Sequence, residues 1–447
     1  MNTDEIFEKV DARFDHWLSE LTDLVAIPSV SSSAFDQSTL ERSAQWILEH
    51  AQALGLEGEV VHHVTDDGIH GRPAVLASRP AEEGKPTIML YAHHDVQPQG
   101  SEDLWETKPF EATRKGDRLY GRGAADDKAG VVLHLAAIEA ANPGVGIVLF
   151  VEGEEEVGSP SFASFLEAYR DRLAADVIVV ADSNNWEVGT PSLTTSLRGV
   201  AQLEIELKVL DHAVHSGMYS GPVLDAVTLA ARMIATLHDE NGDVAVAGLH
   251  SSPAPDVEYP EEQLRRDMGL LEGVEFSGTG SLTERLWKKP TITLIGMDVT
   301  PSDLASNTLI PSTRFKLSLR VAPAQDPREA AEALAEHLRA NVPFGAQATV
   351  EITETGPGFE AGEDTEITKM EKWALEAAFE KEPVDIGVGG SIPFISDLGR
   401  VFPQAQVLVT GVEDPDSRAH SQNESLHLGD WLKAIRAEAL MLSKLGE

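Results

Sequence analysis

Residues 86–95 read PTIMLYAHHD, an apolar run that ends on two imidazoles and a carboxylate. The run is short enough for a strand, and its lack of alternation indicates a strand covered on both faces. Two further stretches share the form: VGIVLFVEGEEE at 145–156 and DVIVVAD at 176–182. With PAVLAS at 73–78 and a helical stretch at 128–141, they predict a largely parallel α/β sheet with helices on both faces. Ligands of open α/β sheets bind beyond the carboxyl ends of the strands. The acidic and imidazole clusters that close these runs are therefore expected to converge at one edge.

Working outward, Phe7, Val10, Phe14, Trp17, Leu18, Leu21 and Val25 recur at helical spacing over 5–25, and a second amphipathic helix is expected over 39–54. The middle of the chain has another rhythm. GVAQLEIELKVL at 199–210 alternates as a strand, and a helix is expected over 222–238, opening at Pro222. Strands at 291–298 and 314–321, a helix at 327–341 and a strand at 347–354 follow. The order β-α-β-β-α-β is the split, ferredoxin-like pattern. A Gly/Pro-rich polar stretch at 241–289 interrupts it, and a strand at 405–411 precedes a C-terminal helix. The expected organisation is one discontinuous α/β domain, 1–192 and 359–447, with a smaller α+β domain inserted at 193–358.

The chain carries 74 acidic and 35 basic residues, a net charge of −39. That balance argues against nucleic acid or an anionic membrane as partner. Cysteine is absent, which excludes disulfides and thiolate metal ligands and fits a reducing, cytoplasmic setting. The acidic start MNTDEIFEKV has no signal-peptide character, and no apolar run is long enough for a transmembrane helix.

Imidazole and carboxylate side chains at strand ends suit divalent metals. His93 and Asp95, two apart in extended chain, face the same way, while His94 faces oppositely. One can ligate while the other orients the ring. Glu155 and Glu156 offer a ligand beside a proton acceptor. Asp126, in YGRGAADDKAG at 120–130, offers a carboxylate able to bridge two cations. Each feature has an ordinary reading too: a surface triplet, an acidic turn, an N-cap for Asp126 or Asp127. His420 and His427 compete within GVEDPDSRAHSQNESLH at 411–427.

Taken together, YAHHDVQP, YGRGAADDKAG, EGEEEVGS, VVADS, HSGMYSG, LSLRVAP, GGSIPF and AHSQNE, in this order, resemble the M20 family of metallopeptidases, especially its carnosinase-like dipeptidases. The resemblance spans about residues 20–440. It implies a di-metal phosphorylase/hydrolase-like catalytic domain with a mixed sheet, plus an inserted lid and dimerisation domain. It implies two divalent metal ions per chain, zinc foremost with manganese or cobalt as alternatives. His93 and Asp182 would hold one metal, Glu156 and His420 the other, and Asp126 would bridge them. Asp95 would orient His93, and Glu155 would be the general base that activates water for hydrolysis of a dipeptide amide. His215, reaching across a homodimer formed by the inserted domain, would polarise the substrate carbonyl. Arg320 would bind the substrate carboxylate, helped by Asn307 or Thr308, Gly390 and Ser391. A cis peptide is expected at Asp126–Asp127. The alanines at 92 and 125 replace other small residues of the commoner pattern, and Glu154 makes the acidic run three long. Spacing to Gly158-Ser159 favours Glu155 as base and Glu156 as ligand. A deacylase or desuccinylase of N-acyl amino acids is the nearest alternative, and a non-catalytic metal- or peptide-binding protein is the alternative of another class.

Overall fold

The computed structural model describes residues 2–253, 255–362, 364–389 and 393–447. The chain divides into two compact units. One comprises Met1–Thr194, Ala361–Ile386 and Asp397–Glu447, the other Thr195–Glu360 and Gly387–Ser396.

The larger unit is built on a six-stranded mixed sheet. Its spatial order is Glu57–Val61, Ala74–Arg79, Gly146–Glu152, Thr87–His93, Val177–Val180 and Gln406–Val409. The last four strands run parallel, while Glu57–Val61 and Ala74–Arg79 add antiparallel pairs at one side. The central strand Gly146–Glu152 is buried along its whole length, which is why its sequence shows no alternation. Glu57–Val61 was not expected from sequence: EGEVV has only two apolar residues and sits at a sheet edge with alternating burial.

The helix Lys128–Ala141 is buried almost all round, packed between the sheet and the helices Thr3–Val25 and Leu428–Leu445. A helix apolar on every side belongs in a core. Ser38–Ala53 covers Ala74–Arg79 and Glu57–Val61. The three ligand-bearing strands are in register at their carboxyl ends: His93 pairs with Glu152, and Tyr91 pairs with Val180. Those pairings bring the segments after 93, 152 and 180 to one edge.

The smaller unit holds a four-stranded antiparallel sheet in the order Thr291–Met297, Ser312–Val321, Gly199–Lys208, Gln347–Gly356. The helices Ala226–Ile234 and Pro327–Ala340 pack on it, and Leu203, Ile205, Leu207, Phe315, Leu317 and Leu334 are among its core residues. One local expectation is corrected. The helix begins at Ala226, not Pro222, because Asp225 caps it by accepting a hydrogen bond from the Thr228 N–H at 3.0 Å. The polar stretch 241–289 contains two short helices, Glu261–Asp267 and Leu282–Trp287. Among the described residues, no helix is long and apolar enough to cross a membrane.

Candidate metal centre

Five chain segments of the larger unit supply one cluster of imidazoles and carboxylates. His93 ends its strand and is fully buried. Its Nδ1 lies 3.0 Å from the Asp95 carbonyl oxygen. A carbonyl only accepts, so Nδ1 carries a proton; in the neutral form of the ring, Nε2 would then be the atom free to hold a cation. That Nε2 lies 3.0 Å from Asp126 Oδ1. Asp126 Oδ2 in turn lies 3.0 Å from His420 Nε2, which is 3.1 Å from Glu156 Oε2.

The donor atoms form two groups that share Asp126. His93, Asp126 and Asp182 make one, and Asp126, Glu156 and His420 make the other, each with its donor atoms within 4.8 Å of one another. Oxygen and imidazole donors in this density are the chemistry of divalent cation sites. The electrostatics agree. Burial, together with the charge of neighbouring acids, pushes Glu156 up to about 7 and Asp182 up to about 6. Burial also drives Glu155 well above the usual carboxylate range, with Asp182, Glu156 and Asp126 adding to it. Burial opposes ionisation of Asp126 too, but hydrogen bonds with His420 and His93 overcome it and hold that pKa below its ordinary value. His420, hydrogen-bonded to Asp126 and Glu156, is raised to about 11. So many acids facing so few cationic side chains leave negative charge that bound metals would neutralise.

The carboxylate of Asp95 has a further task. Its Oδ1 accepts from the Glu155 N–H at 3.1 Å and its Oδ2 from the Glu156 N–H at 3.0 Å, while its Oδ1 stands 3.4 Å from His93 Nδ1. It therefore holds the turn that carries both glutamates. Glu154 points elsewhere: Oε1 accepts from the Ser161 N–H and hydroxyl at 2.7 and 2.6 Å, and Oε2 from the Arg72 N–H at 3.0 Å. Its side chain is used up in holding those segments.

The competing residues have structural partners. His94 Nε2 donates to the Pro73 carbonyl at 2.8 Å, and burial pulls its pKa down to about 4. His427 caps the C-terminal helix, accepting at Nδ1 from the Asp430 N–H at 3.2 Å. Asp127 occupies the N-cap position of Lys128–Ala141 but makes no capping bond; its Oδ2 accepts from the His93 N–H at 3.1 Å. The Asp126–Asp127 peptide is cis. A Cβ at Gly130 would lie 2.2 Å from Asp127 Oδ1, so glycine is needed there for Asp127 to reach His93.

Sequence reasoning missed Glu413. It is buried, and burial plus the charges of Asp126 and Asp182 raise its pKa well above normal. No local pattern singled it out from the other acids of EDPD.

The smaller unit collects other expected residues by itself. His215 pairs with Thr308 across a two-stranded ladder, and the Asn307 carbonyl accepts from the Ser216 N–H at 2.9 Å. Arg320 lies opposite Val200 and Thr291 in the four-stranded sheet. Nearby Arg198, also unforeseen, donates to the Gly389 carbonyl at 3.1 Å, and burial together with the charge of Arg320 lowers its pKa to about 10. Gly390 and Ser391 lie outside the described residues.

Comparison with known proteins agrees with this chemistry. The chain is 32% identical over 437 residues to a cysteinylglycine-S-conjugate dipeptidase of Corynebacterium striatum, covering 96% of this chain and 95% of that protein. It is 25% identical over 472 residues to the Beta-Ala-His dipeptidase of Mus musculus, covering 99% and 96% respectively. Human carnosine dipeptidase 1 shares the fold with a TM-score of 0.81 at 23% identity, covering 99% of this chain and 98% of that one. Residues 89–444 match the Peptidase family M20/M25/M40. The chain thus has the mixed α/β fold of these peptidases, and it belongs to that family.

Proposed function

We propose that this protein is a di-metal dipeptidase that hydrolyses the amide bond of small peptides bearing a free amino terminus. The observation that carries the reading is the pair of three-residue donor groups sharing Asp126, with Glu155 beside them. His93, Asp126 and Asp182 would hold one divalent cation and Asp126, Glu156 and His420 the other. Zinc fits the donor set best, with manganese or cobalt also suited. Bound there, the cations would supply Lewis-acid polarisation of the carbonyl and lower the pKa of water towards neutrality.

The chain's own residues do the rest. Asp95 fixes the backbone of Glu155 by accepting from the N–H groups of Glu155 and Glu156, which aims the base. Glu155 takes the proton of the attacking water and returns it to the leaving amine nitrogen. Burial of Glu155 favours its protonated form, which suits the second transfer. Glu413 is a further buried acid that feels the charges of Asp126 and Asp182. A substrate ammonium would satisfy it, whereas an N-acyl group would leave it unpaired; that favours dipeptides over N-acyl amino acids.

In the same reading the smaller unit, apart from its segment Gly387–Ser396, is a ferredoxin-like lid and dimerisation domain inserted at about 193–358 of a catalytic domain of 1–192 and 359–447. His215 would polarise the substrate carbonyl from a second copy, and Arg320 with Asn307, Thr308, Gly390 and Ser391 would receive the substrate carboxylate. Exposed Met218, Leu294, Ile295, Val299 and Leu304 supply an apolar surface that a second copy would cover. A cytoplasmic location accords with the absence of cysteine.

A panel of dipeptides beside N-acetyl and N-succinyl amino acids tests the substrate class. Turnover of dipeptides with a free amine is expected; turnover of the acylated compounds alone would overturn the reading.

A further inference from the structure

His420 and Asp126 stand on two loops distant in sequence, 417–424 and 121–126. Within the first, Arg418, His420 and Asn423 have φ of 56°, 62° and 62°, a left-handed region that costs residues with a Cβ. Such a loop keeps its shape when its surroundings over-determine it. Asn423 supplies part of that restraint: its Oδ1 accepts from the Glu106 N–H at 2.7 Å, and its Nδ2 donates to the Leu104 carbonyl at 3.2 Å.

Glu424 turns the other way, fully buried, into the loop of Asp126. Its Oε1 accepts from the N–H groups of Ala125 and Asp126 at 3.0 and 3.1 Å, and its Oε2 from the Gly123 N–H at 3.1 Å and Arg122 Nη1 at 2.5 Å. Arg122 returns the restraint, donating through Nη2 to the Ser421 carbonyl at 3.1 Å and the Pro98 carbonyl at 3.4 Å. Trp105 covers its guanidinium at 5.5 Å. Next to Pro98, Gln97 donates through its side-chain amide to Glu156 Oε2 at 2.8 Å and through its backbone N–H to Oε1 at 3.1 Å.

We propose that the buried Arg122–Glu424 pair is the positioning element of the Asp126/Glu156/His420 cation site, locking together the two loops that deliver Asp126 and His420 and, through Pro98, the segment whose Gln97 holds the Glu156 carboxylate. The proposal rests on the two-cation reading above. Neither residue belongs to the donor groups; each acts through the backbone it holds. A carboxylate is required at 424 because four N–H donors converge on two oxygens, and an amide there would turn its own N–H groups against some of them. An arginine is required at 122 because only a planar fork reaches Glu424, Ser421 and Pro98 together.

The test is calorimetric titration of the metal-free protein with Mn2+, joined to the visible absorption of the Co2+ form and to kcat and KM on a dipeptide. The wild type is expected to take two cations per chain. In Glu424→Gln one of the two should bind about 10–100-fold more weakly, the range for lost outer partners of metal ligands. The other, which shares only Asp126, should lose clearly less, the Co2+ spectrum should change mainly for one site, and kcat should fall while KM stays close to wild type. Glu424→Asp and Arg122→Lys keep the charges and should give smaller losses at the same site; they decide the matter if Glu424→Gln does not fold. Unchanged affinity for both cations in the folded variants would overturn the positioning role, as would an equal loss at both sites. A wild type that takes fewer than two cations would instead overturn the two-cation reading itself.

Discussion

His93 and His420 are joined through one carboxylate: the first faces Asp126 Oδ1 and the second Oδ2, each at 3.0 Å from its ring Nε2. Asp126 is thereby the only residue common to both donor groups found among the described residues. Its replacement should therefore harm two sites at once. In Asp126→Ala, both cation affinities should drop by more than about 100-fold, beyond what an outer partner costs, and hydrolysis should be lost. Elemental analysis after dialysis reads this directly; one cation retained at full occupancy would remove Asp126 from the bridging role.

Glu155 is separated from the donor groups by its role as well as its place. Glu155→Gln keeps the shape and the Asp95 contact to its N–H but cannot accept a proton. We expect kcat to fall by about 10²–10⁴-fold, the usual range for a lost general base, with two cations still bound. Near wild-type kcat in this variant would sink the assignment.

The proposed cross-subunit role of His215 predicts complementation. His215→Ala and Glu155→Gln should each be nearly inactive alone. Mixed under conditions that exchange subunits, they form hybrid dimers in which one of the two sites is intact, restoring at most about a quarter of wild-type activity for random pairing of a two-fold dimer. No recovery in a sample shown to contain hybrids would place His215 outside the partner's chemistry.

A buried titratable group outside the donor groups predicts how stability follows pH. His134 is fully buried, with Nδ1 2.9 Å from Glu438 and Nε2 2.9 Å from the Tyr91 carbonyl. Burial works to lower its pKa, but Glu438 outweighs it and the net shift is upward. The paired imidazolium therefore stabilises the fold fully below its unfolded pKa of about 6.5, and that contribution is lost as pH rises through the higher folded value. Glu371, buried near Glu438, acts in the same direction. Burial lifts it to about 8, so the folded state keeps a proton that the unfolded chain releases from about pH 4.3 upward. Urea denaturation should show lower stability at pH 9 than at pH 6. Glu371→Gln, which cannot ionise, should be more stable than wild type at pH 9 by about 1–3 kcal/mol and show a flatter decline. An equal decline in both proteins would contradict this account of Glu371.

Several parts of this protein were legible in its sequence for a local reason. The strands Thr87–His93 and Gly146–Glu152 follow from apolar runs buried on both faces, and the clusters after them follow from where such strands end. The order β-α-β-β-α-β in the smaller unit also follows from local periodicity, since Gly199–Lys208 alternates along most of its length. Local signals failed where two of them competed. Pro222 suits a first helical turn, but Asp225 offers its carboxylate to the Thr228 N–H, and the cap decides where the helix begins.

What the sequence by itself determined is thus the set of elements and the strand-end donors, because side-chain periodicity and backbone preference act over a few residues. Only the tertiary structure decided which segments meet. It turned Glu154 away to Ser161 and Arg72, leaving Glu155 and Glu156 on the site side. It brought His420 and buried Glu413 to donors hundreds of residues earlier, and it closed Arg122 on Glu424. Those meetings depend on sheet register, loop path and packing; the family resemblance anticipated the roles of Glu155, Glu156 and His420, but nothing local in the sequence pointed to Glu413 or to the Arg122–Glu424 pair. Buried charges keep such an arrangement only when each finds its partner in space.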